Sequence, residues 1–260
     1  MQNATVPPVV LIIAGNDPSG GAGLAADIQA VTAQGAHPAP VVAAITVQDS
    51  ADVAAVEAIS ASRVTEQART VLADLPVKAV KLGLLGSAAV GKAVAALLRE
   101  HPGLPVVVDP VLAAGGGRAL ADEALYHVYR RELLPLATVA TPNGSEARRL
   151  TTGSTGPAGT MLLELGAVHV LVTGGDEDTP QVVNTLFSRG GGRKDFTWPR
   201  LPGRYHGSGC TLASALAALL AHGRPVEDAV QEAQRYTWST LEAAWRLGRG
   251  QLIPNRAVRP

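Results

Sequence analysis

The one cysteine of the chain lies in the segment HGSGCTLASALAALL, residues 206–220. Glycines before it and an alanine–leucine run after it predict that Cys210 stands in the first turn of a helix. The first N–H groups of a helix lack intrahelical partners and carry the positive end of its dipole. A thiol placed there is therefore expected to have a lowered pKa. Packing is the alternative, because cysteine also behaves as a small hydrophobe.

Two acidic residues could hold a metal ion near that thiol. Asp109 follows three valines within the run 104–111, and a carboxylate buried there needs a cation or a hydrogen-bonding ligand. Asn143 and Glu146 stand three residues apart at a predicted helix start. A capping box is the alternative for this pair, and both interpretations can hold together. Two carboxylates at neighbouring strand ends suit Mg²⁺, which keeps several waters and binds phosphates as well.

The glycine-rich stretch GNDPSGGAG, residues 15–23, precedes a predicted helix. Its glycines would let a small ligand approach the backbone closely. The alternative is a tight strand-to-helix turn in which Asp17 or Ser19 caps the helix. The stretch is not a P-loop, since GxxxxGK[ST] is absent. Asp27 follows inside the helix, where a solvent-exposed carboxylate is the alternative to a ligand contact, and His206 is interpreted as a hydrogen-bonding or packing histidine.

The elements that must position these residues are apolar runs of strand length. They alternate with segments of helical period, which predicts an α/β fold with a mostly parallel sheet covered by helices on both faces. The runs span residues 9–15, 39–46, 78–85, 104–111, 137–143 and 167–175. Ligands of such sheets bind beyond the carboxyl ends of the strands, and the residues described above fall there.

The last part of the chain breaks this alternation. Two extended pieces around residues 190–192 predict an antiparallel hairpin at the sheet edge. Two helices follow, at about 208–222 and about 226–247. We expect a single domain over residues 1–260 with an irregular tail from about residue 248.

Composition excludes several classes of protein. Lys+Arg and Asp+Glu number 22 each, which argues against a general nucleic-acid binder or a protein of the membrane surface. One cysteine cannot form an internal disulfide and fits a reducing compartment. The apolar run 9–15 is too short to span a bilayer and lacks a basic flank. We therefore expect a cytoplasmic protein that binds neither nucleic acid nor membrane.

In chain order these motifs resemble the ribokinase-like superfamily, and most closely its hydroxymethylpyrimidine/phosphomethylpyrimidine kinases. The matching residues are 15–29 (GNDPSGGAGLAADIQ), Gln48, Asp109-Pro110-Val111, Thr141-Pro142-Asn143 with Glu146, and 206–211 (HGSGCT). The resemblance implies a ribokinase-like fold and a homodimer. It also implies ATP-dependent phosphorylation of the hydroxymethyl group of 4-amino-5-hydroxymethyl-2-methylpyrimidine. A second phosphorylation, of the monophosphate, would give the diphosphate used in thiamine synthesis.

The resemblance further implies a role for each site residue. The pyrimidine pocket would consist of Gly15, Asp27, Gln48, Leu84 and Val111. Asp109 and Glu146 would act through Mg²⁺ and its waters. The nucleotide would contact Asn143, Thr173, Gly175 and Arg118. Gly207, Ser208 and Gly209 would form an anion hole for the transferring phosphoryl group, and Cys210 takes the place of the superfamily's general-base aspartate.

The chain departs from the family pattern at the phosphates. Thr173 stands where a lysine usually precedes a Gly-Gly pair, and AGGGR at 114–118 replaces a second lysine-containing motif. Leu84 replaces a pocket methionine of similar volume. Because cations over the phosphates stabilise the transition state, Arg118 is expected to supply part of the missing charge.

Two other functions stay open at this point. A pyridoxal kinase is one, since some of those enzymes share the Gly-x-Gly-Cys ending. A non-catalytic pyrimidine-binding paralogue is the other. The absent lysines favour the paralogue, whereas the retained Asp109, Glu146 and GSGC segment, residues 207–210, oppose it.

Overall fold

A computed structural model describes residues 6–113, 120–152 and 157–258. Its nine strands form one sheet in the order β3-β2-β1-β4-β5-β6-β7-β8-β9. They are β1 (Val9–Asn16), β2 (His37–Gln48), β3 (Val53–Ala58), β4 (Val77–Leu82), β5 (Val106–Val108), β6 (Val139–Ala140), β7 (His169–Val172), β8 (Gln181–Ser188) and β9 (Gly192–Pro199). The strands from β2 to β7 in this order pair in parallel, and β3, β8 and β9 pair antiparallel with their neighbours.

Helices cover both faces of the sheet. They are α1 (Gly23–Ala33), α2 (Ala61–Asp74), α3 (Ala88–Arg99), α4 (Glu123–Val128), α5 (Gly144–Leu150), α6 (Ala158–Glu164), α7 (Ser208–Ala221) and α8 (Val226–Glu242). A π-helical turn at Tyr129–Leu133 and a 3-10 turn at Leu134–Leu136 follow α4. Among the described residues, no helix is long and apolar enough to cross a membrane.

Strand β1 shows why both faces need a cover. Its successive side chains point to opposite faces, so Leu11 and Ile13 join one core cluster while Val10 and Ile12 join the other. The first cluster packs under α2, α3 and α4, and the second under α1, α7 and α8. Both consist mainly of Ala, Val and Leu, as a chain with 3% aromatic residues requires.

The predicted fold class is confirmed, including the parallel core and the edge hairpin of β8 and β9. Strand β3 was not predicted. It is a six-residue edge strand antiparallel to β2, and half of its residues are exposed, so it lacks the apolar run of a central strand. The run 104–111 forms a strand only over Val106–Val108. Its last residues leave the ladder, which places the buried Asp109 just beyond the strand, at the carboxyl edge of the sheet.

Candidate active site

A cavity of about 450 Å³ opens at the carboxyl ends of the parallel strands. Its wall contains almost every residue predicted for the site: Gly15, Gln48, Leu84, Asp109, Val111, Asn143, Glu146, Thr173, Gly175, Gly207, Ser208, Gly209 and Cys210. Asp27 is absent from this wall, and Arg118 lies outside the described residues. The sheet therefore gathers residues from most of the chain at the edge where the topology predicts a ligand.

Asp17 holds the glycine-rich turn that follows β1. Its carboxylate accepts hydrogen bonds from the N–H groups of Ser19 and Ala22, both at 2.8 Å, and from the Ser19 hydroxyl at 3.0 Å. Burial opposes the charge of Asp17, but its bonds with His206 and Ser19 hold its pKa below the usual range. The stretch is thus a tight turn, but the expected cap is wrong, because Ala22 is the N-cap of α1 and no side chain caps the helix. The turn forms one side of the cavity.

His206 connects that turn to the predicted pyrimidine pocket. Its Nε2 lies 2.8 Å from Oδ2 of Asp17 and 2.8 Å from the side-chain amide of Gln48. The ring is buried, and it packs where a Cβ on Gly21 would lie only 2.1 Å away. His206 is the hydrogen-bonding histidine that the sequence predicted, and it fixes the position of the Gln48 amide at the cavity wall.

Behind the cavity lies a buried ion pair. Nζ of Lys81 donates to Oδ1 of Asp27 at 2.8 Å, and the Ser214 hydroxyl donates to the same oxygen at 2.7 Å. Both charged side chains are fully buried. Burial lowers the pKa of Lys81, but Asp27, Cys210 and Asp109 outweigh it and raise the value above normal. Asp27 is thus neither a solvent-exposed carboxylate nor part of the cavity wall.

Asp109 and Glu146 place two carboxylates on the cavity floor. Burial raises the pKa of Asp109 to about 6, against the attraction of Lys81, whose Nζ lies 3.9 Å from Oδ2. Burial and then Asp109 raise the pKa of Glu146 to about 8. The side chains of Asn143 and Glu146 also form the predicted capping box of α5, so Glu146 has both roles that the sequence left open.

These two carboxylates fit a hydrated magnesium ion. Oδ2 of Asp109 has no hydrogen-bond partner among the described residues, and both side chains offer the hard oxygen ligands that Mg²⁺ prefers. Within the ranges that the structure describes, no group of three or more His, Cys, Asp or Glu side chains could hold a metal ion. Waters and phosphate oxygens would therefore have to complete the coordination.

Cys210 lies at the start of α7 as predicted, but the expected lowering of its pKa is wrong. The thiol is partly open to the cavity, yet protein surrounds it deeply. Burial raises the pKa of Cys210 to about 12, and Asp27 and Asp109 add to that rise against the attraction of Lys81. Cys210 and Asp109 line the same cavity. Cys210 is therefore a protonated thiol at neutral pH.

The N-terminus of α7 requires glycine for steric reasons. Gly207 has φ +72°, and a Cβ there would lie 2.2 Å from the carbonyl oxygen of Gly21 and 2.8 Å from Cα of Ala22. The turn after β1 and the start of α7 are thus in direct contact. Because the first N–H groups of α7 have no intrahelical partner, they are free to bind an anion in the cavity.

The opposite end of the cavity is lined by Thr173, Gly175, Trp198 and Arg200. The Arg200 guanidinium donates to the carbonyl oxygens of Gly174, Gly175, Glu177 and Thr179 at 2.5–3.2 Å. It thereby fixes the turn in which Thr173 replaces the family lysine. The N–H groups of Gly144 and Ser145 at the start of α5 are bound to Asp176, which lies in the same turn.

Sequence reasoning missed Lys81 and Arg200. The sequence did contain a signal for Lys81, because this lysine lies inside the apolar run KAVKLGLL. A lysine in a buried strand needs a charged or hydrogen-bonding partner. Arg200 had no such signal, since its carbonyl partners belong to a turn about 25 residues earlier in the chain.

Comparison with known proteins gives a consistent family. The family model described as phosphomethylpyrimidine kinase matches residues 17–255. A hydroxymethylpyrimidine/phosphomethylpyrimidine kinase of Rhizobium meliloti is 40% identical over 256 residues, which cover 94% of this chain and 94% of that protein. A thiamine biosynthesis bifunctional protein of Geobacter sulfurreducens is 40% identical over 93% of this chain. The chain spans about half the length of such bifunctional relatives.

A solved structure shares the same architecture. The pyridoxal kinase of Staphylococcus aureus, in complex with AMP-PCP and pyridoxal, has a TM-score of 0.86 and 26% sequence identity to this chain. The match covers 96% of this chain and 94% of that one. This chain therefore shares its fold with a pyridoxal kinase that has been crystallised with AMP-PCP and pyridoxal.

Proposed function

The chain belongs to the phosphomethylpyrimidine kinase family, and from that membership we propose that it transfers the γ-phosphoryl group of ATP to a hydroxymethylpyrimidine. The first acceptor is the hydroxyl of 4-amino-5-hydroxymethyl-2-methylpyrimidine, and the second is the phosphate of the resulting monophosphate. The observation that carries the proposal is the convergence, in one cavity, of Asp109, Glu146, Cys210 and the N-terminus of α7.

The pyrimidine lies at the end of the cavity formed by the β1, β2, β4 and β5 strand ends. Gly15 has no side chain there, so a flat ring can approach the backbone, and Leu84 and Val111 supply apolar contacts. Gln48, held by His206, hydrogen-bonds to the polar edge of the ring. The nucleotide occupies the end near Thr173, Gly175 and Asn143, where Arg200 stabilises the turn.

In the first reaction the hydroxyl oxygen attacks the γ-phosphorus, the bond from that phosphorus to the β,γ-bridging oxygen breaks, and ADP leaves. The N–H groups at the start of α7 stabilise the charge on the transferring group. Because Cys210 is protonated at neutral pH, it cannot act as a ready thiolate base. The hydroxyl proton passes to Sγ of Cys210 while the thiol's own proton moves to the carboxylate of Asp109, which lines the same cavity.

Asp109 and Glu146 would hold Mg²⁺ through its waters. When bound, that ion neutralises charge on the nucleotide phosphates. The pairing of Asp109 with Lys81 and the capping role of Glu146 fix both carboxylates on the cavity floor before any ligand enters. Small-molecule substrates, ATP and Mg²⁺ thus complete the set of ligands.

The enzyme would work as a homodimer in the cytoplasm. The single cysteine supports a reducing compartment. The face of β2 that points away from the cavity supports self-association, because it exposes Ile45 and Val47 where β2 pairs with the edge strand β3.

An assay of ADP release tests the proposed function, with the pyrimidine alcohol, its monophosphate and pyridoxal as parallel acceptors. The proposal expects turnover on the first two and much slower turnover on pyridoxal. Faster turnover on pyridoxal would instead support the alternative function, that of a pyridoxal kinase, which shares this fold. Calorimetric binding of the alcohol without ADP release from any acceptor would identify a non-catalytic paralogue.

Asp109→Asn is the variant that connects this assay to the cavity. It is expected to cut kcat sharply, because both the metal site and the proton acceptor lose their charge. Calorimetric binding of the pyrimidine alcohol should be nearly unchanged, since the predicted pocket lies on other residues. Equal loss of binding and turnover would contradict the roles given to Asp109.

A further inference from the structure

The chain returns to the active site after α8, and Arg256 is the residue that reaches it. Its side chain is 2% exposed. No carboxylate of the described residues lies within ion-pair distance of it. A buried guanidinium without a direct counter-charge is costly, so its contacts have to compensate. The mechanism given above does not use this residue.

The guanidinium joins the two glycine loops that form the cavity wall. Nη2 donates to the carbonyl oxygen of Gly21 at 2.5 Å, and Nε donates to the Thr211 hydroxyl at 2.8 Å. Longer contacts of 3.5 Å reach the carbonyl oxygens of Gly20 and Gly207. Arg256 therefore contacts the turn after β1 and the first turn of α7 together.

These contacts determine which way the peptide groups point. The carbonyl oxygen of Gly207 faces Arg256 and accepts hydrogen bonds from the N–H and the hydroxyl of Thr211, at 3.0 and 2.8 Å. In a planar trans peptide the C=O and the following N–H point in opposite directions. The N–H of Ser208 is therefore turned toward the cavity, where a phosphoryl oxygen would bind.

We propose that Arg256 is a positioning residue for phosphoryl transfer. It ties the turn after β1 to the start of α7 and places a positive charge directly behind the anion hole formed by the N–H groups of residues 207–209. The proposal rests on the proposed function, because an anion hole is useful only if a phosphoryl group occupies it. Its effect is strongest in the transition state, when charge on that group is being redistributed.

Three variants test the proposal. Arg256→Gln removes the charge. Arg256→Lys keeps the charge but loses the several N–H donors of the guanidinium. Tyr236→Phe is the matched control. The Tyr236 hydroxyl donates to the backbone carbonyl of Arg256 at 2.9 Å, so its loss loosens the same segment without touching the guanidinium. Each variant is measured for kcat, for KM of ATP and of the pyrimidine alcohol, and for unfolding free energy in urea.

The same variants are titrated calorimetrically with ADP and with ADP plus aluminium fluoride, in Mg²⁺ buffer. Aluminium fluoride imitates the transferring phosphoryl group and needs no pyrimidine. For Arg256→Gln we expect kcat to fall about 10- to 100-fold with both KM values nearly unchanged, as for a small misplacement of catalytic groups. Affinity for ADP–aluminium fluoride should fall by a similar factor while ADP affinity is retained. Arg256→Lys should recover part of both losses.

Several results would overturn the proposal. One is a Gln variant that turns over like the parent, and another is one that loses ADP and ADP–aluminium fluoride affinity equally. A Tyr236→Phe variant with the same loss of kcat at the same loss of stability would reduce Arg256 to a structural role. If Arg256→Gln does not fold, Arg256→Lys decides by the same criteria. A parent enzyme inactive on the pyrimidine would refute the proposed function alone, since the aluminium fluoride titration needs no acceptor.

Discussion

At the scale of single residues, the ionisable side chains of Asp27, Lys81, Asp109 and Cys210 act on one another in the candidate site. Lys81 lies within ion-pair distance of both aspartates, and its positive charge opposes the rise in the pKa of the Cys210 thiol. A buried charge is costly without a partner. Lys81 therefore offsets negative charge at this site before substrate binds.

Removing the lysine should be severe. Lys81→Met leaves Asp27 buried without its partner and is expected to lower the unfolding free energy by about 3–5 kcal/mol. The double variant Lys81→Met/Asp27→Leu should recover most of that loss. Urea denaturation at neutral pH measures the unfolding free energy of the parent protein and of both variants.

The matched control for this experiment is Arg69→Met. Arg69 pairs with Glu100 at 2.6 Å, but both side chains are about half exposed, so the loss of stability should be far smaller than for Lys81→Met. A Lys81→Met variant no less stable than Arg69→Met would contradict the assignment of a buried ion pair.

The thiol of Cys210 should be slow to alkylate. With a pKa raised by burial to about 12, the folded protein holds almost no thiolate at pH 8, whereas an unperturbed cysteine has a pKa of about 8.5. Because the chain has one cysteine, iodoacetamide incorporation reports Cys210 alone. The rate in the ligand-free, metal-free protein should be well below that of the urea-unfolded chain and should keep rising above pH 9. A plateau below pH 8.5 would show that the helix dipole outweighs burial.

At the scale of secondary structure, the site depends on how strands end and helices begin. The β1 strand ends before the turn held by Asp17, β5 ends one residue before Asp109, and α7 begins after Gly207, whose left-handed backbone brings it against Gly21. Such junctions were predictable from the sequence because glycine, aspartate and asparagine have strong local preferences there.

Gly207→Ala tests the junction at α7. The added Cβ meets backbone atoms that cannot move independently, so the start of α7 has to shift, and kcat should fall about 10- to 100-fold. Gly223→Ala at the other end of α7 is the control. Gly223 has φ +78° with nothing within 4 Å of its Cβ position, so its variant should lose about 1–2 kcal/mol of stability and keep its kcat. Similar kcat values for the two variants would show that the junction does not matter for catalysis.

At the scale of the whole molecule, the parallel core of the sheet could be expected from the alternation of apolar runs and helical segments. Long-range partners could not. Asp27 and Lys81 are 54 residues apart, and Asp17 and His206 are 189 apart, so neither pairing leaves a local signal. The family resemblance placed Asp27 in the substrate pocket, but a matching motif shows only which residue is present and not which residues surround it. The described part of the tail has no helix and only isolated bridges at Leu252 and Ile253, so no local pattern indicated the role of Arg256.

Self-association is the prediction at this scale. We expect a dimer at micromolar concentration by sedimentation, with β2 at the interface because Ile45 and Val47 are 48% and 62% exposed on one face of its edge hairpin. Val47→Lys should shift the protein toward monomer. Val183→Lys should not, although Val183 on β8 is also an exposed valine, at 43%. A monomeric parent, or equal behaviour of the two lysine variants, would contradict this interface.

The contact of Arg256 with Gly21 spans 235 residues of chain. Ribosomes synthesise about 5–20 residues per second, so roughly 12 to 47 seconds separate the synthesis of Gly21 from that of Arg256. For that interval the turn after β1 exists without the guanidinium that ties it to α7. During synthesis activity therefore appears late: a nascent chain can bury β1, β2 and β4 early, but its catalytic cavity is complete only when the loop that carries Arg256 has been made.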